Sequence, residues 1–218
     1  MAAAVVFDMD GVIVDTEQVW EAVREELVAD WGGTNTPGAQ RAMMGMSSHE
    51  WSLYMHEQLG LPQSPAEISD EVVRRMLARY RSGLPLVEGA VDAVRDLAAR
   101  MPLAVASSSN RPLIEAVLEA AGIAGCFMAT VSSEEVPRGK PSPDVYLEAA
   151  RRLGVVAGHC AAVEDSASGI RAAHAAGMRV IAYPNRHYPP EAGALGLADI
   201  VIPSLAALGA AVDKAQTR

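Results

Sequence analysis

Short unbroken apolar runs alternate along the chain with stretches in which apolar residues recur every three or four positions. The runs are Ala4–Phe7, Leu103–Ala106, Phe127–Val131, Ala161–Val163 and Val180–Tyr183, each followed by polar or turn-forming residues. Runs this short and this continuous fit strands covered on both faces, as in a parallel sheet. Between the later runs the helical period predicts helices over Gly89–Arg100, Arg111–Ala121, Asp144–Leu153 and Gly169–Ala176. Gly122, Gly154 and Gly177 stand where three of these would stop. Ile200–Ile202 reads as an edge strand and Leu205–Lys214 as a closing helix. Strand alternating with helix predicts an α/β fold with a doubly wound, Rossmann-like parallel sheet.

One interval breaks the alternation. From Glu17 to Gly83 the pattern is helical throughout, with no buried strand. Val19, Trp20, Val23 and Leu27 fall on one helical face. Ser47 with Glu50, and Ser64 with Glu67, have the spacing of capping boxes ahead of further apolar periods. The expected organisation is therefore an α/β domain made of residues 1–16 and 84–218, with a helical domain of residues 17–83 inserted between its first and second strands.

Composition narrows the class without naming a function. Half of the 218 residues are apolar and 21% are charged, the balance of a globular protein. A formal net charge of −9 speaks against nucleic acid or an anionic membrane as the main partner. It leaves room for a small phosphorylated metabolite, because a local pocket can be cationic on an acidic protein. No apolar stretch approaches the length of a membrane span, and the first residues lead directly into a strand, so a cytoplasmic monomer or weak dimer is expected. Cys126 and Cys160 form no metal-type pair; Cys160 opens an apolar run and reads as a buried thiol.

The chemistry is concentrated where strands end, the place at which open parallel sheets bind ligands. The first strand runs into Asp8-Met-Asp10-Gly11, the second into Ser107-Ser108-Ser109-Asn110, and the fourth into Glu164-Asp165-Ser166. Lys140-Pro141 follows the third. Carboxylates so close raise one another's pKa unless a cation compensates. An all-oxygen donor set with no nearby His or Cys suits Mg²⁺, which also offsets the charge of an entering phosphoryl group. Lys140 adds a second positive point. The Ser107 hydroxyl and the backbone N–H groups after it can receive phosphate oxygens, as can the start of the helix at Arg111.

These four motifs, in this order, resemble those of the haloacid dehalogenase-like phosphotransferase superfamily, and the helical insertion resembles its small α-helical cap. The segment Asp8-Met-Asp-Gly-Val-Ile-Val-Asp-Thr-Glu17 is similar to the β-phosphoglucomutase and sugar-phosphatase subgroup. The resemblance implies that Asp8 is the nucleophile and Asp10 the acid/base. It implies a Mg²⁺ site made by Asp8, the Asp10 backbone carbonyl, Asp165 and Glu164, the last directly or through water. Ser107, Ser108, Asn110 and Lys140 would bind phosphate, and Gly11 would let the chain turn sharply beside it. Asp15 is expected to support the linker.

Asp10 argues against dehalogenation as the reaction, since halide leaves without a proton. Within the superfamily, the mutase pattern has a histidine where this chain has Trp20 and an arginine where it has Ser48. Both departures favour hydrolysis of sugar or polyol monophosphates over a β-phosphoglucomutase-type transfer. A non-catalytic phosphometabolite-binding module is the alternative of another class, and an intact Asp8, Asp10, Lys140 and Asp165 set speaks against it. Met43, Met44 and Met46 read as core or as pocket wall, and the Gly45–Ser48 turn as a candidate specificity loop.

Overall fold

The computed structural model describes residues 2–215. Six parallel strands form one sheet: β1 (Ala4–Phe7), β2 (Leu103–Ser107), β3 (Ala129–Ser132), β4 (Cys160–Glu164), β5 (Arg179–Ala182) and β6 (Ile200–Val201). Their spatial order is β3-β2-β1-β4-β5-β6. The order reverses direction between β1 and β4, where Phe7 lies beside Val163. Such a switch point opens a crevice at the carboxyl ends of the strands. The doubly wound, Rossmann-like sheet expected from the alternating pattern is what the chain forms.

The continuous apolar runs are explained by layers on both faces. Val5 and Phe7 of β1 point into one core, and Ala4 and Val6 into the other. The first core is filled by α5 (Ala90–Ala98), α6 (Arg111–Ala120) and α10 (Leu208–Ala215) through Val94, Leu97, Ile114, Val117, Leu208 and Val212. The second is filled by α7 (Asp144–Leu153) and α8 (Ala167–Ala175). Its many alanines let those helices lie close to the sheet. A short helix, α9 (Ala192–Leu195), leads into β6.

Most element edges differ from the sequence expectation by one to three residues, while β1 and α7 match it. β3 begins at Ala129, because the 3₁₀ turn Ala124–Cys126 occupies the approach and Phe127 packs its ring edge-on against Phe7 at 6.0 Å. The closing helix is split, with a 3₁₀ turn at Leu205–Ala207 before α10. Gly122, Gly154 and Gly177 do take the positive φ that ends their helices. Cys160 is buried, Cys126 is half-buried, and neither forms a disulfide.

Between β1 and α5 lie α1 (Glu17–Asp30), α2 (Ala39–Met43), α3 (Ser48–Gln58) and α4 (Pro65–Ser82). Ser47 and Ser64 both complete the capping boxes foreseen with Glu50 and Glu67. The amphipathic face of α4 buries Ile68, Val72, Met76 and Tyr80. The two connections to the sheet run side by side: Asp15 donates its N–H to Pro85 at 2.8 Å and Val87 to Ile13 at 3.0 Å. Among the described residues no helix is long and apolar enough to cross a membrane.

Candidate active site

At the switch point β1 delivers Asp8, whose N–H donates to the Val163 carbonyl of β4 at 2.9 Å. That register sets Asp8 next to the end of β4, where Glu164 and Asp165 follow. One oxygen from each of the three carboxylates lies within 4.8 Å of the others, and all three are buried. Lys140 reaches into the group, its Nζ 2.8 Å from Asp8 Oδ1 and 2.6 Å from Glu164 Oε1. The Tyr146 hydroxyl donates to the same Glu164 oxygen at 2.6 Å. Glu164 Oε2 accepts from the N–H groups of Asp165 and Ser166, at 3.1 and 3.2 Å. Asn185 Nδ2 fixes Asp165 Oδ2 at 2.9 Å.

One ammonium does not balance three buried carboxylates. Burial, with Glu164 and Asp10 nearby, pushes Asp8 up to about 8 in spite of Lys140. Burial, with Glu164 and Asp8 nearby, carries Asp165 well above the carboxylate range. Burial works against the charge on Lys140 as well, but Asp8 and Glu164 outweigh it and hold the ammonium protonated. A divalent cation would compensate carboxylates that otherwise retain protons at neutral pH, and a compact set of oxygen donors fits Mg²⁺. Gly11 marks how tightly the set is enclosed. A Cβ there would fall 1.9 Å from Asp165 Oδ2, and its positive φ already favours glycine.

Asp10, two residues on, stands apart from this group. Its Oδ1 accepts from the Thr16 hydroxyl and from Trp20 Nε1 at 3.2 Å, and its Oδ2 from the Ser109 hydroxyl at 2.7 Å. Asp8, Asp10, Ser108, Lys140 and Asp165 line one small cavity of about 50 Å³, closed on its far side by residues of α1 to α3. Trp20, Met43, Met44, Gly45, Met46 and Trp51 belong to that roof. Trp20 thus both packs in the core and forms the cavity wall, and the Gly45 turn does reach the site.

The other expected residues sit behind the wall. Ser107 is fully buried, and its hydroxyl accepts from the Ser109 N–H at 3.0 Å. Asn110 precedes α6 but makes no side-chain cap; its Nδ2 donates to Glu134 Oε1 at 2.8 Å and to Ser69 at 3.2 Å. Glu134 also receives the Arg111 N–H at 3.0 Å, so it serves the helix start in the place expected for Asn110. Glu17, Arg24, Ser109, Glu134, Tyr146 and Asn185 were not singled out from the sequence. For Glu17, Trp20 and Arg24 a signal existed, since intervals of three and four place them on one helical face. Tyr146, Glu134 and Asn185 lie in no local pattern that marks them.

Comparison with known proteins agrees with this geometry. The family described as haloacid dehalogenase-like hydrolase matches residues 2–177. Fructose-1-phosphate phosphatase YqaB of Escherichia coli K12 is 35% identical over 182 residues, spanning 82% of this chain and 95% of that protein. Hexitol phosphatase B of the same organism is 33% identical over 95% of this chain and 94% of its own length. The crystal structure of CbbY from Rhodobacter sphaeroides in complex with phosphate superposes with a TM-score of 0.84 at 30% identity, covering 96% of this chain and 97% of that one.

Proposed function

Because the chain belongs to the haloacid dehalogenase-like hydrolases and is a phosphoric monoester hydrolase, we propose that it hydrolyses sugar or polyol monophosphates, with Mg²⁺ as cofactor and Asp8 as nucleophile. The observation that carries this reading is the division of the carboxylates: Asp8 is fixed by Lys140 beside Glu164 and Asp165, while Asp10 is held separately by Ser109 and Trp20. A nucleophile and a proton carrier need different surroundings, and here two aspartates have them.

Asp8 forms a bond to phosphorus as the ester P–O bond breaks, and Asp10 gives its proton to the departing alcohol oxygen. A water that surrenders its proton to Asp10 then attacks the aspartyl-phosphate, releasing inorganic phosphate and restoring Asp8. Lys140 holds Asp8 in line and offsets charge on the transferred group; Ser108 and the N–H groups of the turn after β2 receive its oxygens. Asp8, Glu164, Asp165 and the Asp10 carbonyl would hold Mg²⁺, which supplies charge compensation to the phosphoryl group. Residues 17–83 act as a cap that shuts water out until the alcohol has left.

Water is the acceptor that the roof favours. Ser48 spends its hydroxyl on Glu134 at 2.9 Å and offers no cation to a second phosphate. Trp20 donates to Asp10 but can neither take nor give a proton in the transfer. The test is phosphate release from hexitol and ketose monophosphates with Mg²⁺ and with EDTA. EDTA should abolish turnover, and Asp8→Asn should lower kcat about 10³-fold or more. Full activity in Asp8→Asn, or conversion of β-glucose 1-phosphate to glucose 6-phosphate without phosphate release, refutes the proposal.

A further inference from the structure

Arg24 is 6% exposed, at the point on α1 where the roof of the cavity faces Asp10. Its guanidinium rests against two indoles, 4.7 Å from the Trp20 ring centroid and 5.1 Å from that of Trp51. Burial brings it down to about 10, yet Glu17 and Asp10 sustain its charge, so it is a cation at neutral pH. Few partners satisfy that cation. Its Nη1 donates to Gln40 Oε1 at 2.9 Å. Its buried Nε has no hydrogen-bond partner among the described residues, and none of their carboxylate oxygens lies within 4.0 Å of the guanidinium. A guanidinium withdrawn from water and only partly bonded lacks an acceptor, and the ring faces supply attraction without a lone pair.

Arg24 and Met43 line this cavity and also the larger cleft of about 490 Å³ behind it. The side chain therefore stands where the alcohol part of an ester would extend from phosphorus. Charge decides which acceptor fits. Glu17 and Asp10 face the same space, so a doubly negative second phosphate would meet two carboxylates and one cation. A hydroxyl is neutral, can accept from Arg24 and can donate its own O–H to a carboxylate. The indole and methionine walls suit the carbon skeleton that bears it.

We infer that Arg24 is the specificity-determining residue of the cap, donating from its guanidinium to a hydroxyl on the leaving group and so selecting polyhydroxylated esters over plain alkyl ones. This rests on the proposed substrate class and assigns its selection to one side chain. The measurement is the ratio of kcat/KM for sorbitol 6-phosphate to that for n-hexyl phosphate, which match in carbon count and differ in hydroxyls. The wild type should favour the hexitol ester. Arg24→Met should lower the ratio about 10- to 100-fold, the loss of one charge-assisted hydrogen bond. Arg24→Lys keeps the charge without the fork and should give an intermediate ratio; it also keeps the test readable should the methionine variant not fold. A ratio that stays at the wild-type value in both variants, including an equal loss on both esters, overturns the role of Arg24 alone. A wild type with no preference between the esters overturns the substrate class and this inference together.

Discussion

Glu17 shows how a single side chain can feel the site from a distance. It lies at the start of α1, partly buried, with Gln40 between it and Arg24. Burial and Asp10 raise it from 4.5 to about 7, against the pull of Arg24. The folded chain therefore holds a proton there that the unfolded chain has released. Its contribution to stability is complete below about pH 4.5 and is lost as pH rises through about 7. Glu17→Gln should remove that slope, making the variant more stable than the wild type at pH 8 by at most about 3 kcal/mol. Urea unfolding from pH 4.5 to 8 in EDTA checks it, and parallel curves for the two proteins would contradict it. The same residue marks the limit of sequence reading. Asp8, Asp10, Lys140 and Asp165 could be read because each follows a strand end, and the structure gathers all four around one cavity. Glu17 and Arg24 share a helical face with Trp20 by spacing, but only the apolar positions of that helix stood out. Nothing local says that an arginine on such a face will be enclosed by tryptophans from two helices.

At the scale of elements, apolar runs and helical periods revealed which segments are strands and helices, because both sheet faces are covered. Boundaries were blurred where capping is supplied from elsewhere. α8 was expected from Gly169 but begins at Ala167, because the Ser166 hydroxyl accepts the Gly169 N–H at 3.1 Å and starts the helix earlier. Gly169 then falls in the first turn against β4. A Cβ there would lie 1.7 Å from Glu164 Oε1, the oxygen that receives Lys140 and Tyr146. Two principles disagree on Gly169→Ala. Helix propensity alone would stabilise the protein by about 0.5–1 kcal/mol. Crowding a buried, fully bonded carboxylate should instead destabilise it by about 1–3 kcal/mol. Crowding should win, since the blocking atoms belong to a side chain with no free space to enter. Thermal unfolding gives the sign directly: a rise in Tm would mean that Glu164 can move aside at little cost. With Glu164 displaced, Mg²⁺-dependent turnover should fall too.

The whole molecule adds a relation between segments far apart in the chain, which no pattern along the sequence carries. Ser48 of α3 and Asn110 before α6 both donate to Glu134, and the Arg111 N–H donates to its other oxygen. Nearby, the Ser108 hydroxyl donates to the Gly45 carbonyl at 3.0 Å, and Tyr188 donates to Glu21 of α1 at 2.8 Å. These contacts tie the helical insertion to the loops that bear the proposed catalytic groups, over a cavity of about 50 Å³. The proposed hexose phosphate is larger than that, so on this reading the insertion is expected to open for substrate entry and to close for chemistry. Glu134 is exposed and touches neither the cavity nor the carboxylate group, so besides supporting the start of α6 it is a lever on closure that leaves the site's own groups in place. Glu134→Ala should cost the closed form roughly 1–2 kcal/mol, shifting the closed-to-open ratio about 5- to 30-fold. Small-angle scattering should then report a larger mean radius of gyration, and kcat/KM should fall by a similar factor while Mg²⁺ affinity holds. If scattering and kinetics both match the wild type, Glu134 only caps α6, and closure rests on the packing of Gly45 and the tryptophans over Asp10.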